Sequence, residues 1–162
     1  MAEMSVNLSQ VPLFNGLTPQ QLNTLKPLFE SYSCPRGTAI FEQGQEADYL
    51  YLILNGNVTI QYKPYDGPFI TISHLSSGGV FGWSAAIGSG EYTSRAECLE
   101  ALEALRIRGR DLEQLCLDYP ETGAIILDRL AQVVSSRWKH AHEQVRSLLQ
   151  KGKDGLAKSP NN

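Results

Sequence analysis

The stretch CPRGTAIFEQGQEADYLYLILNGNVTI, Cys34–Ile60, decides the fold. Its glycines, Gly37, Gly44 and Gly56, stand 7 and 12 residues apart, and Gly67 and the pair Gly78-Gly79 continue the series at intervals of 11. Between these points lie short apolar or alternating runs, TAIFEQ, YLYLILNG, NVTIQYK and, further on, FITISHL. Short apolar runs separated by turn residues at such intervals predict many short strands, hence a sandwich or barrel-like roll. Within LNGNVTIQY, Asn55-Gly56 supplies the positive φ that a two-residue hairpin demands, and KPYDGPF makes a second turn with Asp66-Gly67 between prolines.

Helices are expected on either side. Thr18-Pro19-Gln20-Gln21 reads as a capping box with proline at the first helical position, followed by the apolar stripe Leu22, Leu25, Leu28 and Phe29. Ahead of it, VPLFNGL carries its own apolar anchors, Leu13 and Phe14. Asp111 is expected to begin a short helix, DLEQLCLDY, and Pro120 a long one reaching about Gln150. Thirty residues span roughly 45 Å, more than a roll of this size covers. Leu127, Leu130, Val134, Arg137, Ala141, Gln144 and Leu148 recur at alternating spacings of 3 and 4, a heptad seam with two polar members. The favoured reading is a homodimer along this seam; the alternative is a helix packed on its own domain. The expected organisation is one domain, with the N-terminal helix, roll and short helix in 1–120, the long helix in 121–151 and a disordered polar tail in 152–162.

Composition narrows the function. The chain has 162 residues, is 42% hydrophobic and carries a formal net charge of -3. It is long enough for one core and has no clustered cationic run, so direct DNA binding is not expected. No apolar run approaches the ~20 residues that span a bilayer, and a cytoplasmic protein away from membranes is expected. Cys34, Cys98 and Cys116 are odd in number and lack a C-x-x-C, which reads as small buried thiols. His140 and His142 stand about 200° apart on a helix, which spoils a metal pair. No G-x-S-x-G, Cys/His nucleophile pairing or paired-carboxylate motif occurs, so the reading is non-enzymatic, without cofactor or metal.

A second stretch, GGVFGWSAAIG (Gly78–Gly88), looks like a loop built to cradle a phosphate, yet it offers Trp83 where a charged group would serve a ligand. After it, Ser94, Ala96 and Cys98 alternate with Arg95 and Glu97, a strand with a small-residue inner face, so Arg95 is expected to point away from the pocket.

Gly37, Ile40, Phe41, Gly44, Asp48, Leu50, Tyr51, Ile53, Leu54, Gly56, Val58, Gly79, Phe81 and Gly82 together resemble the cyclic-nucleotide-binding domain family of the catabolite-activator type, over about Val11 to Leu149. The resemblance implies a mainly β fold with flanking helices: an eight-stranded, double-stranded β-helix or jelly-roll-like roll followed by a long dimerisation helix. It also places a strand at LEALEALRI, whose composition by itself suits a helix.

In ligand-binding members of that family a Phe-Gly-Glu step, a short helix and an arginine before Ser-Ala hold the cyclic phosphate and ribose. Here the glutamate position is Trp83 and the arginine position Tyr92, followed by Thr93-Ser94. The candidate cassette is therefore Phe81, Gly82, Trp83, Ser84, Ala85, Tyr92, Thr93 and Ser94, with the amides of Ser84 and Ala85 as anion donors. On the long helix the purine-reading positions fall at Arg137 and Trp138, where Arg137 is either a cation at the pocket mouth or a solvated seam residue. Three readings stay open: a sensor of a non-standard ligand, an interaction module whose pocket Trp83 and Tyr92 fill, and a cyclic-nucleotide binder (cyclic AMP, cyclic GMP or a cyclic dinucleotide) with a rebuilt cassette. In each, the output passes through a protein partner. The dozen polar residues after the long helix are too few for a DNA-reading helix pair.

Overall fold

The computed structural model describes residues 11–64, 67–86, 90–132 and 135. Helix α1, Pro19–Leu25, starts on the expected capping box: the Gln21 amide donates to Thr18 Oγ1 at 3.2 Å, and the Thr18 amide donates to Gln21 Oε1 at 2.9 Å. Eight strands follow, β1 Glu30–Cys34, β2 Ala39–Phe41, β3 Tyr49–Asn55, β4 Val58–Tyr62, β5 Ile70–Leu75, β6 Val80–Phe81, β7 Arg95–Cys98 and β8 Leu102–Arg108. Helix α2, Gly109–Asp118, begins two residues before the expected Asp111, and α3 is helical from 120 to 132.

The strands form two antiparallel four-stranded sheets, in the orders β1-β8-β3-β6 and β2-β7-β4-β5. This is the expected β-roll with flanking helices. Gly56, at φ 114°, turns the chain from β3 in one sheet to β4 in the other. The expected hairpin across Asn55-Gly56 is thereby corrected: β3 pairs with β6 and β8, and β4 with β5 and β7. From Leu102 on, LEALEALRI is a strand because β8 lies centrally between β1 and β3, so ladder pairing on both sides outweighs its helical propensity; its first three residues precede the strand.

Alternation along β3 and β8 divides the core. Leu50, Leu52, Leu105 and Ile107 face the helices and pack with Phe14, Leu25, Leu112, Leu115, Ile126 and Leu130. Tyr51, Ile53, Leu102 and Ala104 face the interior of the roll and pack with Phe41, Phe81, Tyr92, Ala96 and Cys98. One sheet therefore lies between an aliphatic, helix-side core and an aromatic interior.

Two further expectations are corrected. Leu130 is fully buried in its own domain's helix-side core, four residues after Ile126 and eight after the buried Thr122. That spacing directs the first turns of α3 inward, and of the expected seam only Leu127 is exposed among the described residues. Val134, Arg137, Ala141, Gln144 and Leu148 lie outside the described residues, as do the end of the long helix and the tail. The second correction concerns the thiols. Cys34 and Cys98 meet sulfur to sulfur across the two sheets as a disulfide pair, because the roll folds the end of β1 against the end of β7; Cys116 is free.

Candidate functional site

The loop that raised the question of a phosphate begins at β6. Gly82 adopts φ 76°, and a Cβ there would lie 2.8 Å from the Tyr49 carbonyl oxygen and 3.1 Å from the Tyr51 ring, so both conformation and space select glycine. A short 3-10 turn, Trp83–Ala85, follows. Its Ala85 amide donates to the Gly82 carbonyl at 3.1 Å, which corrects the expectation that this amide serves an anion. Ser84 is buried. Ala85 sits directly against the start of α2, where a Cβ on Gly109 would overlap the Ala85 carbonyl.

Trp83 and Tyr92 part company. Tyr92, only 4% exposed, enters the roll interior. Its ring stacks on Phe41 with centroids 3.6 Å apart and planes 10° apart. Its hydroxyl donates to the Tyr49 carbonyl at 2.7 Å and accepts from the Tyr49 amide at 3.1 Å. Burial pushes this phenol well above its usual range, outweighing the hydrogen bond to the Tyr49 backbone. Tyr51 and Phe81 stack alongside at 4.9 Å, and Phe41 lies 6.0 Å from each of them. Four rings thus fill the space beneath Gly82.

Trp83 is on the other side, half-buried against the helix-side core. Of the two rings that one reading placed together in the pocket, Tyr92 lies in the roll interior and Trp83 does not: the left-handed Gly82 ends the strand's alternation and turns the next side chain toward the helices. Thr93 is exposed and Ser94 half-buried. Arg137 and Trp138 lie outside the described residues.

Arg95 faces outward as expected. Its guanidinium donates to Glu42 at 3.0 Å, Gln61 at 2.7 Å and Glu97 at 3.3 Å, and it lies 5.2 Å from the centroid of the Phe69 ring. Ala96 and Cys98, the alternate residues, are buried inward.

One cluster escaped the sequence reading. Arg106, on the interior face of β8, lies 3.9 Å over Tyr49 and 4.9 Å over Tyr32, and donates to Glu30 at 2.7 Å. Arg108 lies 5.1 Å over Tyr49. Burial raises the Tyr51 phenol, and its hydrogen bond with Arg106 opposes that rise. The signal was available as Tyr49/Tyr51 and Arg106/Arg108, two i, i+2 pairs on strands that turn out to be neighbours. Among the described residues no group of three or more metal-ligating side chains occurs, and no helix is long and apolar enough to cross a membrane.

A two-sheet roll with a glycine-rich turn at β6 and a short helix behind it defines the class, and the cyclic nucleotide-binding domain family matches over residues 32–119. The chain belongs to that family. It is 25% identical over 142 residues to the CRP-like cAMP-activated global transcriptional regulator of Mycobacterium tuberculosis, covering 88% of this chain and 62% of that protein. The structure of the Thermus thermophilus catabolite activator protein is 28% identical with a TM-score of 0.71, over 85% of this chain and 62% of that one. A cyclic nucleotide-binding domain from Methylobacillus flagellatus shares the fold at 21% identity and a TM-score of 0.77, over 90% and 82%. The chain spans about three-fifths of the length of the cAMP-activated regulator and of the cyclic AMP receptor protein of Thermus thermophilus.

Proposed function

We propose that this chain is a non-enzymatic, cytoplasmic regulatory module in which Tyr92 and its aromatic neighbours occupy the space the family gives to a ligand's phosphate. The signal then passes through protein contacts, with the chain acting as a homodimer. The carrying observation is Tyr92. The resemblance aligns it with the family's arginine, and it is buried, with its ring stacked on Phe41 and its hydroxyl both donating to and accepting from Tyr49. An incoming cyclic phosphate would meet a ring instead of a cation and would have to break two hydrogen bonds to enter. Of the described cations nearby, Arg95 faces outward with Glu42 and Glu97, and Arg106 pairs with Glu30.

A second reading, binding of a cyclic nucleotide through a rebuilt cassette, is favoured by the relatives, one of which is named a cAMP-activated regulator. Thermal shift against cyclic AMP, cyclic GMP and cyclic dinucleotides separates the two. A ligand at a hundred times its Kd adds about 2.7 kcal/mol of stability, a shift that is readily seen. The proposal expects none from cyclic AMP or cyclic GMP; a saturable shift with either installs the second reading. Light scattering at tens of micromolar tests the dimer, and a monomer removes that part of the proposal.

A further inference from the structure

Cys34 ends β1 at the edge of one sheet and Cys98 ends β7 in the other. They are 64 residues apart in the chain, yet their sulfurs are in contact, with Cα atoms 7.4 Å apart. The backbone around them is already clasped. The Gly37 amide donates to the Cys98 carbonyl at 2.8 Å, and the Cys98 amide donates to the Thr38 carbonyl at 2.9 Å. The turn following Cys34 is thereby held against the end of β7. Exposure divides the two thiols: Cys98 is 1% exposed, whereas Cys34 is half-buried between the exposed Ser33 and Pro35. A half-buried cysteine backed by a fully buried one within reach has the layout of a reactive thiol and its resolving partner.

We propose that Cys34 and Cys98 are a redox modification site, oxidised by a hydroperoxide to a bond that ties the two sheets together and reopened by a low-molecular-weight thiol. The Cys34 thiolate attacks the peroxide and breaks its O–O bond, giving a sulfenic acid and releasing the alcohol, or water from hydrogen peroxide. Cys98 then attacks the sulfenic sulfur; the S–S bond forms and the hydroxyl leaves as water with the proton from Cys98. In sum two thiols lose two protons and two electrons, and the peroxide is reduced. Two molecules of glutathione reverse the change and leave as one glutathione disulfide. Both cysteines border the aromatic interior, so the bond holds the sheets closed over Tyr92. Cys116 stands apart: burial and the Glu113 carboxylate both raise its thiol, which makes it an internal control.

The test uses the whole protein with hydrogen peroxide and reduced glutathione as the probes. Folded, reduced protein is expected to present three thiols to alkylation after unfolding; protein treated with a few equivalents of peroxide is expected to present one, Cys116, with intact mass 2 Da lower. Glutathione is expected to restore all three without denaturant. The oxidised form should melt roughly 10 °C higher, as expected for closing a loop of this length. In Cys98→Ser the oxidation should stop at a Cys34 sulfenic acid that dimedone traps, whereas in Cys34→Ser the buried Cys98 should remain unmodified. Three thiols surviving peroxide in the wild-type protein overturn the proposal. So does a bond that only denaturation allows glutathione to open, or Cys98 reacting first; the wild-type measurements decide even where a variant fails to fold.

Discussion

The two faces of the β1-β8-β3-β6 sheet are built from the same strands and solved differently. Toward the helices, Leu50, Leu52, Leu105 and Ile107 meet Leu and Ile from α1, α2 and α3, and shape alone has to be satisfied. Toward the roll interior, Tyr51 and Phe81 meet Phe41 and Tyr92, and the Tyr92 hydroxyl needs the Tyr49 backbone. An aliphatic face is a wall. An aromatic face with a hydroxyl anchored to the backbone adds a polar requirement that the aliphatic face lacks.

The largest expected effect sharpens this contrast. Phe81→Ala on the interior should cost about 3–5 kcal/mol and Leu105→Ala on the helix side about 2–5 kcal/mol. The interior change should be the dearer of the two by about the 0.5–1.5 kcal/mol a ring pair adds beyond its area. Urea denaturation reads both, and a Phe81→Ala cost below 1 kcal/mol would mean that the interior is not packed as a core.

Next comes Tyr92→Phe, which keeps the ring and removes the hydroxyl. The Tyr49 amide and carbonyl then lose their partner, at a cost of about 1–3 kcal/mol. The pH dependence carries its own sign. Burial raises the folded-state phenol above its ordinary value of 10.0, so this contribution is complete below pH 10 and is lost as pH rises from there toward the folded value. Tyr32 and Tyr51 shift the same way and share the window. Stability should therefore fall above pH 10, and less steeply in Tyr92→Phe; equal slopes would detach Tyr92 from the effect.

The smallest effect belongs to the outer surface. Arg95 bridges to Glu42, whose side chain is 53% exposed, so Arg95→Ala should cost about 1 kcal/mol or less and depend on salt. A loss of several kcal/mol would make the outer face as consequential as the interior.

How much of this could be read beforehand follows from how local each signal is. The Thr18–Gln21 cap and the outward Arg95 rest on residues within a few positions of one another, and both stand as read. Asn55-Gly56 is a turn as read, but its two strands go to different sheets, because turn chemistry is local and strand pairing is not. The Trp83 direction was lost because one backbone angle at Gly82 ends the alternation that side-chain placement relied on. Leu130 was assigned to a seam because a 3-4 repeat looks the same whether it faces a partner or its own domain. Cys34 with Cys98, and Arg106 with Tyr49 and Tyr32, are products of topology: strands far apart in the chain become neighbours. The i, i+2 pairs Tyr49/Tyr51 and Arg106/Arg108 are visible in the sequence, but that their strands pair is not.

The central claim is that Tyr92 closes the roll to a cyclic phosphate. Calorimetric titration of cyclic AMP into the unmodified protein and into Tyr92→Arg, once circular dichroism has shown the variant folded, tests it most directly. The account predicts no saturable heat for the unmodified protein up to millimolar nucleotide and measurable affinity for Tyr92→Arg, where a charge-assisted contact contributes roughly 1.5–3 kcal/mol. Saturable binding of cyclic AMP by the unmodified protein at micromolar strength contradicts it.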